Sequence, residues 1–247
     1  MEALSHIKLI KPTLYLIPTT LGDNAPMEVL PLTVKKTIES LTHFIVENEK
    51  EARRFIKRIT PKKNQRNLVL YPLNKFSDPM ETLTYLDAIG QGESIGLLSD
   101  AGCPAVADPG ALIVRMAHQK NISVRPLVGP SSILLALMAS GMNGQSFAFN
   151  GYLPIDKKER TRFIQKLEKR SGEFDQTQMF IETPYRNAQL LDDFKRILSP
   201  NTRLAVACDL TLVKETIIEN AVKNWSNIQV DLQKRPAIFL FHRELAI

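Results

Sequence analysis

Short, mostly apolar runs separated by helix-length segments constrain this chain more than any other feature. "SIGLLSD" is one such run; "DPGALIVRMAHQK" and then a further run, "ISVRPLV", follow it. "TLYLIP", "HFIVE" and "NLVLYPL" are runs of the same kind, and "NEKEARRFIKRI" and "DPMETLTYLDAIG" are segments of helical length. Runs of this length that are mostly apolar suit strands buried on both faces. Their alternation with helices predicts a parallel sheet covered on both sides. Local chemistry agrees. Phe55, Ile56 and Ile59 share one helical face. Asp78, Pro79, Glu81 and Gly90 read as the start and stop of one helix, and Asp108–Pro109 repeats the start.

A second series follows: "SFAFNGYLP", "KKERTRFIQKLEK", "TQMFIETP", "RNAQLLDDFKRIL", "RLAVACDL" and "PAIFLFHR". Between the two series lies "GPSSILLALMASGM", apolar on every helical face, which predicts a buried helix where two units meet. The expected fold is therefore α/β, with two domains, 1–130 and 131–247, each built on a mostly parallel sheet. A chain of 247 residues suffices for that arrangement.

Several classes are excluded. Hydrophobic content of 44% and charge of 23% are those of a globular chain, neither fibrous nor low in complexity. The first twelve residues lack the basic start, apolar centre and small-residue cleavage site expected of a secretory signal, and no apolar run approaches the ~20 residues that span a bilayer. Cys103 and Cys208 form no metal or redox spacing, so a reduced cytoplasmic setting is expected. His6, His43, His118 and His242 have no metal-ligand spacing either. "GQGESIG" has the wrong spacing for a dinucleotide fingerprint and precedes its strand; neither a Walker A loop nor a Gly-x-Ser-x-Gly elbow occurs.

The formal charge is +6. Part of the excess is clustered, in "KRITPKKNQR" (Lys57 to Arg66) and "KKERTR" (Lys157 to Arg162). Such clusters attract RNA or another polyanion, or they are merely solvated surfaces; composition leaves both open.

The densest turn chemistry is "SDAGCPAVADPG", Ser99 to Gly110. It begins at the carboxyl end of a predicted strand, where open α/β sheets bind ligands. Its glycines let the backbone approach a ligand closely, and Ser99, Asp100 and nearby amides can bond one. Asp108 taken alone reads as a helix cap. "GPSS", Gly129 to Ser132, is a strand-to-helix turn at the same edge, readable as a site or as a Ser cap.

"LYLIPTTLGD", "LLSDAGCPAVADPG", "VRPLVGPSSILLALMASGM", "FAFNGYLP", "FIETPYR" and "CDLTLVKET" follow in that order over nearly the whole chain. Together they resemble the tetrapyrrole methylase superfamily, and in particular its branch of small-subunit ribosomal RNA methyltransferases. That resemblance implies S-adenosylmethionine held in a cleft between two domains, a homodimer, and methylation of a ribosomal RNA ribose 2′-hydroxyl. It places the cofactor against Pro18, Ser99, Asp100, Ala101, Gly102, Pro104, Ser131, Ser132, Leu210 and Thr211. Gly22 and Asp23 match the end of the family's first turn. Cys103 stands where the family has Thr, and Glu182, Pro184 and Arg186 match a Glu-Ser-Pro-His-Arg stretch with Thr183 and Tyr185 substituted. The family's RNA-side segment is only approximated here, by Glu47 with Arg53 or Arg54.

Methyl transfer from a sulfonium requires alignment of the reacting atoms and no metal. A ribose hydroxyl would gain from a general base. Glu182, held by Arg186, is the candidate pair, and a purely structural ion pair is the other reading of it. A tetrapyrrole C-methyltransferase and a non-catalytic cofactor-binding module remain alternatives, since a polycarboxylate also suits basic residues and the closing strand "RPAIFLF" resembles the tetrapyrrole branch.

Overall fold

Five of the apolar runs become five parallel strands. In the computed structural model, which describes residues 11–244, these are β1 (Thr13–Ile17), β2 (His43–Val46), β3 (Val69–Pro72), β4 (Ile95–Leu98) and β5 (Ser123–Pro126). They form one sheet in the order β3-β2-β4-β1-β5, parallel at every pairing. Alternate side chains supply opposite faces. Ile17, Phe44, Val46 and Leu98 pack with Val34 and Ile38 of the helix Leu32–Ser40, and with Phe55, Ile56 and Ile59 of the helix Glu49–Ile59. Leu14, Ile45, Ile95 and Leu97 pack instead with Ile113, Met116 and Ala117 of the helix Ala111–Gln119.

This topology dictates where a ligand can enter. The connection from β1 to β2 runs through the helix Leu32–Ser40 on one face, and that from β4 to β5 runs through the helix Ala111–Gln119 on the other. β1 and β4 are neighbours, so their outgoing chains diverge and leave a crevice at their carboxyl ends.

Two local expectations change. Residues 79–90 form two short helices, Pro79–Thr82 and Asp87–Gly90, rather than one. Between them the amides bond three residues back (Thr84 to Glu81, Asp87 to Thr84), a tighter winding that buries the adjacent Tyr85 and Leu86. Tyr85 donates its hydroxyl to the Pro72 carbonyl at 2.6 Å. Asp108 is not the cap of the following helix, which begins at Ala111 with Gly110 in that place. Its carboxylate accepts from Ala105 N and Gly110 N, both at 2.8 Å, and so closes the loop before the helix.

The second unit is built on β6 (Phe147–Phe149), β7 (Thr177–Ile181), β8 (Arg203–Cys208), β9 (Thr216–Ala221) and β10 (Ala237–His242), in the order β6-β7-β10-β8-β9. Here the expectation of a mostly parallel sheet is corrected: β6–β7 is parallel, but β7–β10, β10–β8 and β8–β9 are antiparallel. β9 and β10 carry no long helical crossover before them, which parallel pairing with β8 would require. β9, from "TIIENA", is the strand missing from the sequence reading. One face is aromatic: Phe180, Phe239 and Phe241 meet Phe194 of the helix Asn187–Ile197, with ring centroids 5.3–5.9 Å apart. Trp225 is fully buried in the same cluster and donates its indole N–H to the Leu204 and Asn220 carbonyls. The other face packs Ala136 and Leu137 of the helix Ser132–Ser140 on Ala205, Ala207, Ile238 and Leu240. The apolar pattern of that helix predicts burial all round, yet Leu134 and Met138 on its outer side are 51% and 77% exposed.

The chain divides into two compact units: residues up to Thr20 with Asn24–Pro130, and Leu21–Asp23 with Ser131 onward.

Candidate active site

In the first unit the loops after β1, β2, β4 and β5 are stitched together. Thr19, two residues beyond β1, donates its amide to the Gly102 carbonyl at 3.0 Å and its hydroxyl to the Ser99 carbonyl at 3.1 Å. Glu47, directly after β2, accepts from the Asp100 amide at 3.0 Å and from the Ser99 hydroxyl at 3.3 Å. The Cys103 thiol lies 3.4 Å from the Pro130 carbonyl, so the residue in the family's Thr place still bonds the turn after β5. Two glycines are required here. Gly102 has φ +75°, a conformation open to few other residues, and a Cβ on Gly129 would lie 2.3 Å from Cγ of Pro18. Pro18, Ser99, Asp100, Ala101, Gly102 and Pro104 are thus gathered at the divergence of β1 and β4.

The electrostatics of this edge are acidic. Burial, then Glu47 and Glu51, raise the Asp100 carboxyl above its ordinary value, and the Asn48 amide opposes them. Burial likewise raises Asp108, against the bonds it accepts from Gly110 and Ala105. Ala105 and Ala107 have φ of +65° and +61°, so the loop stores backbone strain that the Asp108 bonds help to hold. An edge of this kind favours a cation above it.

In the second unit, β6, β7 and β8 end at one edge of the sheet. Beyond β8, Thr211 has φ +72°, unusual for a β-branched residue, and its amide is held by Glu215 at 2.7 Å. Its hydroxyl oxygen is buried without a hydrogen-bond partner. Leu210 packs in the cluster of Ala136 and Leu137, and Leu21 of the segment after β1 joins that cluster. Ser131 caps the helix Ser132–Ser140, its hydroxyl accepting from the Leu134 amide at 3.4 Å. The other end of the helix meets Arg203, at the start of β8, through the Ser140 and Gly141 carbonyls. The helix start, with Ser131 and Ser132, therefore lies toward the edge where β8 ends.

Glu182 follows β7 and is buried. One oxygen accepts from the Thr183 amide at 2.7 Å and the other pairs with Arg186 at 3.0 Å. With both oxygens engaged, the geometry favours the ion-pair reading of Glu182 over the general base.

The sequence profile of the Tetrapyrrole (Corrin/Porphyrin) Methylases matches residues 13–225. The chain belongs to the tetrapyrrole methylase family. Ribosomal RNA small subunit methyltransferase I of Vibrio cholerae is 29% identical over 206 residues, 83% of this chain and 67% of that protein. The Bacillus subtilis protein of the same name is 32% identical over 218 residues, 87% and 70% of the two chains. The crystal structure of the methyltransferase CobJ matches with a TM-score of 0.63 over 94% of each chain, at 14% identity, a likeness of fold. This tetrapyrrole methylase is an S-adenosylmethionine-dependent methyltransferase.

The residues present suit that cofactor. In the first unit, glycines keep the edge of the sheet open to a bound molecule and acids favour a positive charge there. Among the described residues no group of His, Cys, Asp or Glu could hold a metal ion, and no helix is long and apolar enough to cross a membrane. His43 meets the Tyr71 hydroxyl and His242 meets Asp175, each at 2.9 Å; His6 lies outside the described residues.

Two supporting residues escape sequence reasoning. Glu47 reads there only as part of the RNA-side segment, and its bonds to Ser99 and Asp100 span more than fifty residues. Nothing in the sequence around Glu215 signals its clamp on the Thr211 amide. One basic residue also changes role. Arg160 is 3% exposed, pairs with Asp193 at 2.8 Å and donates to the Pro154 and Ile155 carbonyls, so it cannot meet a phosphate as the "KKERTR" cluster suggests.

Proposed function

We propose that this chain methylates ribosomal RNA of the small subunit at a ribose 2′-hydroxyl. The observation that carries this reading is the likeness to proteins named ribosomal RNA small subunit methyltransferase I, up to 32% identical over 87% of the chain. The exposed Lys157, Lys158 and Arg162 of the helix Lys157–Phe174 are consistent with a polyanionic substrate.

S-adenosylmethionine, when bound, supplies a methyl group on positively charged sulfur. In this proposal the Ser99–Pro104 loop and Pro18 of the first unit hold it, and Ser131, Ser132, Leu210 and Thr211 are candidates on the family resemblance alone. The Asp100 carboxylate faces its positive charge, while Glu47 fixes the loop that carries Asp100. Arg186 and Glu182 position the chain after β7 rather than exchange protons. Alignment of a ribose hydroxyl with the methyl group is then the main contribution of the protein. The family resemblance and the open side of the helix Ser132–Ser140 further support a homodimer, which light scattering would report as twice the 27.9 kDa of one chain. A cytoplasmic setting accords with an RNA substrate.

The test is methyl transfer from labelled cofactor to small-subunit RNA, followed by nucleoside mass spectrometry. A 2′-O-methylated nucleoside is expected. Label that appears only on a base, or only on a carboxylated tetrapyrrole, overturns the reading.

A further inference from the structure

Tyr152 and Tyr185 are exposed at one edge of the second sheet, while Phe147 and Phe174, also exposed, lie where β6 and β7 begin. The two tyrosines are 61% and 80% exposed, whereas Phe180, Phe194, Phe239, Phe241 and Trp225 are fully enclosed. Tyr152 follows β6 and Tyr185 follows β7, and these strands are parallel neighbours, so both side chains leave the same sheet edge.

Both are carried on fixed supports. Next to Tyr152, the Gly151 carbonyl accepts from the Ile181 amide at 3.1 Å and Leu153 is buried. Arg160 then holds the Pro154 and Ile155 carbonyls while it pairs with the buried Asp193. Next to Tyr185, Arg186 is tied to Glu182. Arg160 belongs to the helix whose first turns expose Lys157, Lys158 and Arg162, so the ion pair that fixes the Tyr152 loop also fixes the basic turn beside it. Asp156 and Glu159 lie in that turn too, and Asp156 is engaged in capping the Lys158 and Glu159 amides.

We infer that this edge is a platform for single-stranded RNA, with bases stacked on Tyr152 and Tyr185 and phosphates met by Lys157, Lys158 and Arg162. The inference rests on the RNA reading above and narrows it. Aromatic rings take bases only from strands whose bases are unstacked, so the recognised segment is an unpaired loop or strand rather than a duplex. Rigid loops suit this role, because little ordering cost then opposes stacking.

The test is fluorescence anisotropy with a labelled single-stranded RNA oligonucleotide and with its duplex. Tyr152→Ala and Tyr185→Ala should each weaken single-strand binding on the order of tenfold, while the Phe variants keep it. Replacing Lys157, Lys158 and Arg162 together by Gln should flatten the log–log salt slope by about 0.7 for each phosphate left unneutralised. Cofactor affinity by calorimetry should stay unchanged in all of them, which also reports that they fold. If the duplex binds as tightly as the single strand, or the Ala variants bind the single strand like wild type, the platform is wrong. Should wild type still methylate small-subunit RNA in that case, the functional reading survives. Absence of any RNA methylation by wild type would instead overturn that reading, and the platform with it.

Discussion

The two sheets organise the loops at the edges where their parallel strands end by different means. The first is wholly parallel, so the loops after β1, β2, β4 and β5 leave one edge and tie one another down through backbone carbonyls, Thr19 and Glu47. The second is mixed, and ion pairs with buried carboxylates (Arg160–Asp193 and Arg186–Glu182) brace its edge over an aromatic core. In the first unit, the parallel topology brings the candidate residues to one edge and a few side-chain bonds fix them there. In the second, side-chain chemistry must do so. Damage to the second should therefore appear first as lost stability, and damage to the first as lost cofactor affinity.

The largest effect is expected in the aromatic core. Phe194→Ala removes a ring packed against three others and should cost about 3–5 kcal/mol in urea unfolding. Arg160→Ala leaves Asp193 buried with Arg196 alone and should cost about 3 kcal/mol. The same pair sets an acid dependence. Desolvation would raise Asp193, but bonds from Arg196 and Arg160 outweigh it and hold the carboxyl below its ordinary 3.8. A carboxyl lowered by folding adds stability that is full above 3.8 and fades as pH falls below it. Unfolding measured across that range should show a smaller acid-dependent loss in Arg160→Ala than in wild type.

Changes in the first unit should act on binding. Wild-type cofactor affinity should hold at neutral pH and drop as acid protonates Asp100, whose carboxyl titrates above its ordinary value. Glu47→Gln keeps an acceptor for the Asp100 amide but removes one of the charges that raise it. The acid limb of the affinity profile should then move to lower pH; an unmoved limb would separate Glu47 from the site. The smallest effect is expected at Thr211. Thr211→Gly should relieve the left-handed backbone and stabilise the chain by about 1 kcal/mol while weakening cofactor binding.

Legibility in the sequence follows the same division. A buried parallel strand is mostly apolar and ends in turn residues, so "TLYLIP" and "SIGLLSD" announce β1 and β4 and the loops after them. Antiparallel pairing leaves no such mark. The partly exposed "TIIENA" of β9 lacks a continuous apolar run, and the direction of β10 depends on partners far away in sequence. Arg160 looks like any surface base until Asp193, thirty-three residues on, is placed beside it. Asp108–Pro109 carries the signature of a helix start, but the two amides its carboxylate accepts belong to the loop. The tyrosines at 152 and 185 sit inside motifs that resemblance reads for other residues, and only the shared edge of β6 and β7 relates them.

The central claim is that the divergence of β1 and β4, with the Ser99–Pro104 loop on it, holds the cofactor. Isothermal titration of S-adenosylhomocysteine into wild type and Gly102→Val tests it most directly. A side chain at a backbone with φ +75° should displace the loop and weaken binding by at least about tenfold, while the backbone strain lowers the urea midpoint and leaves the transition cooperative. Equal affinity in a folded Gly102→Val protein would contradict the account and move the cofactor away from this edge.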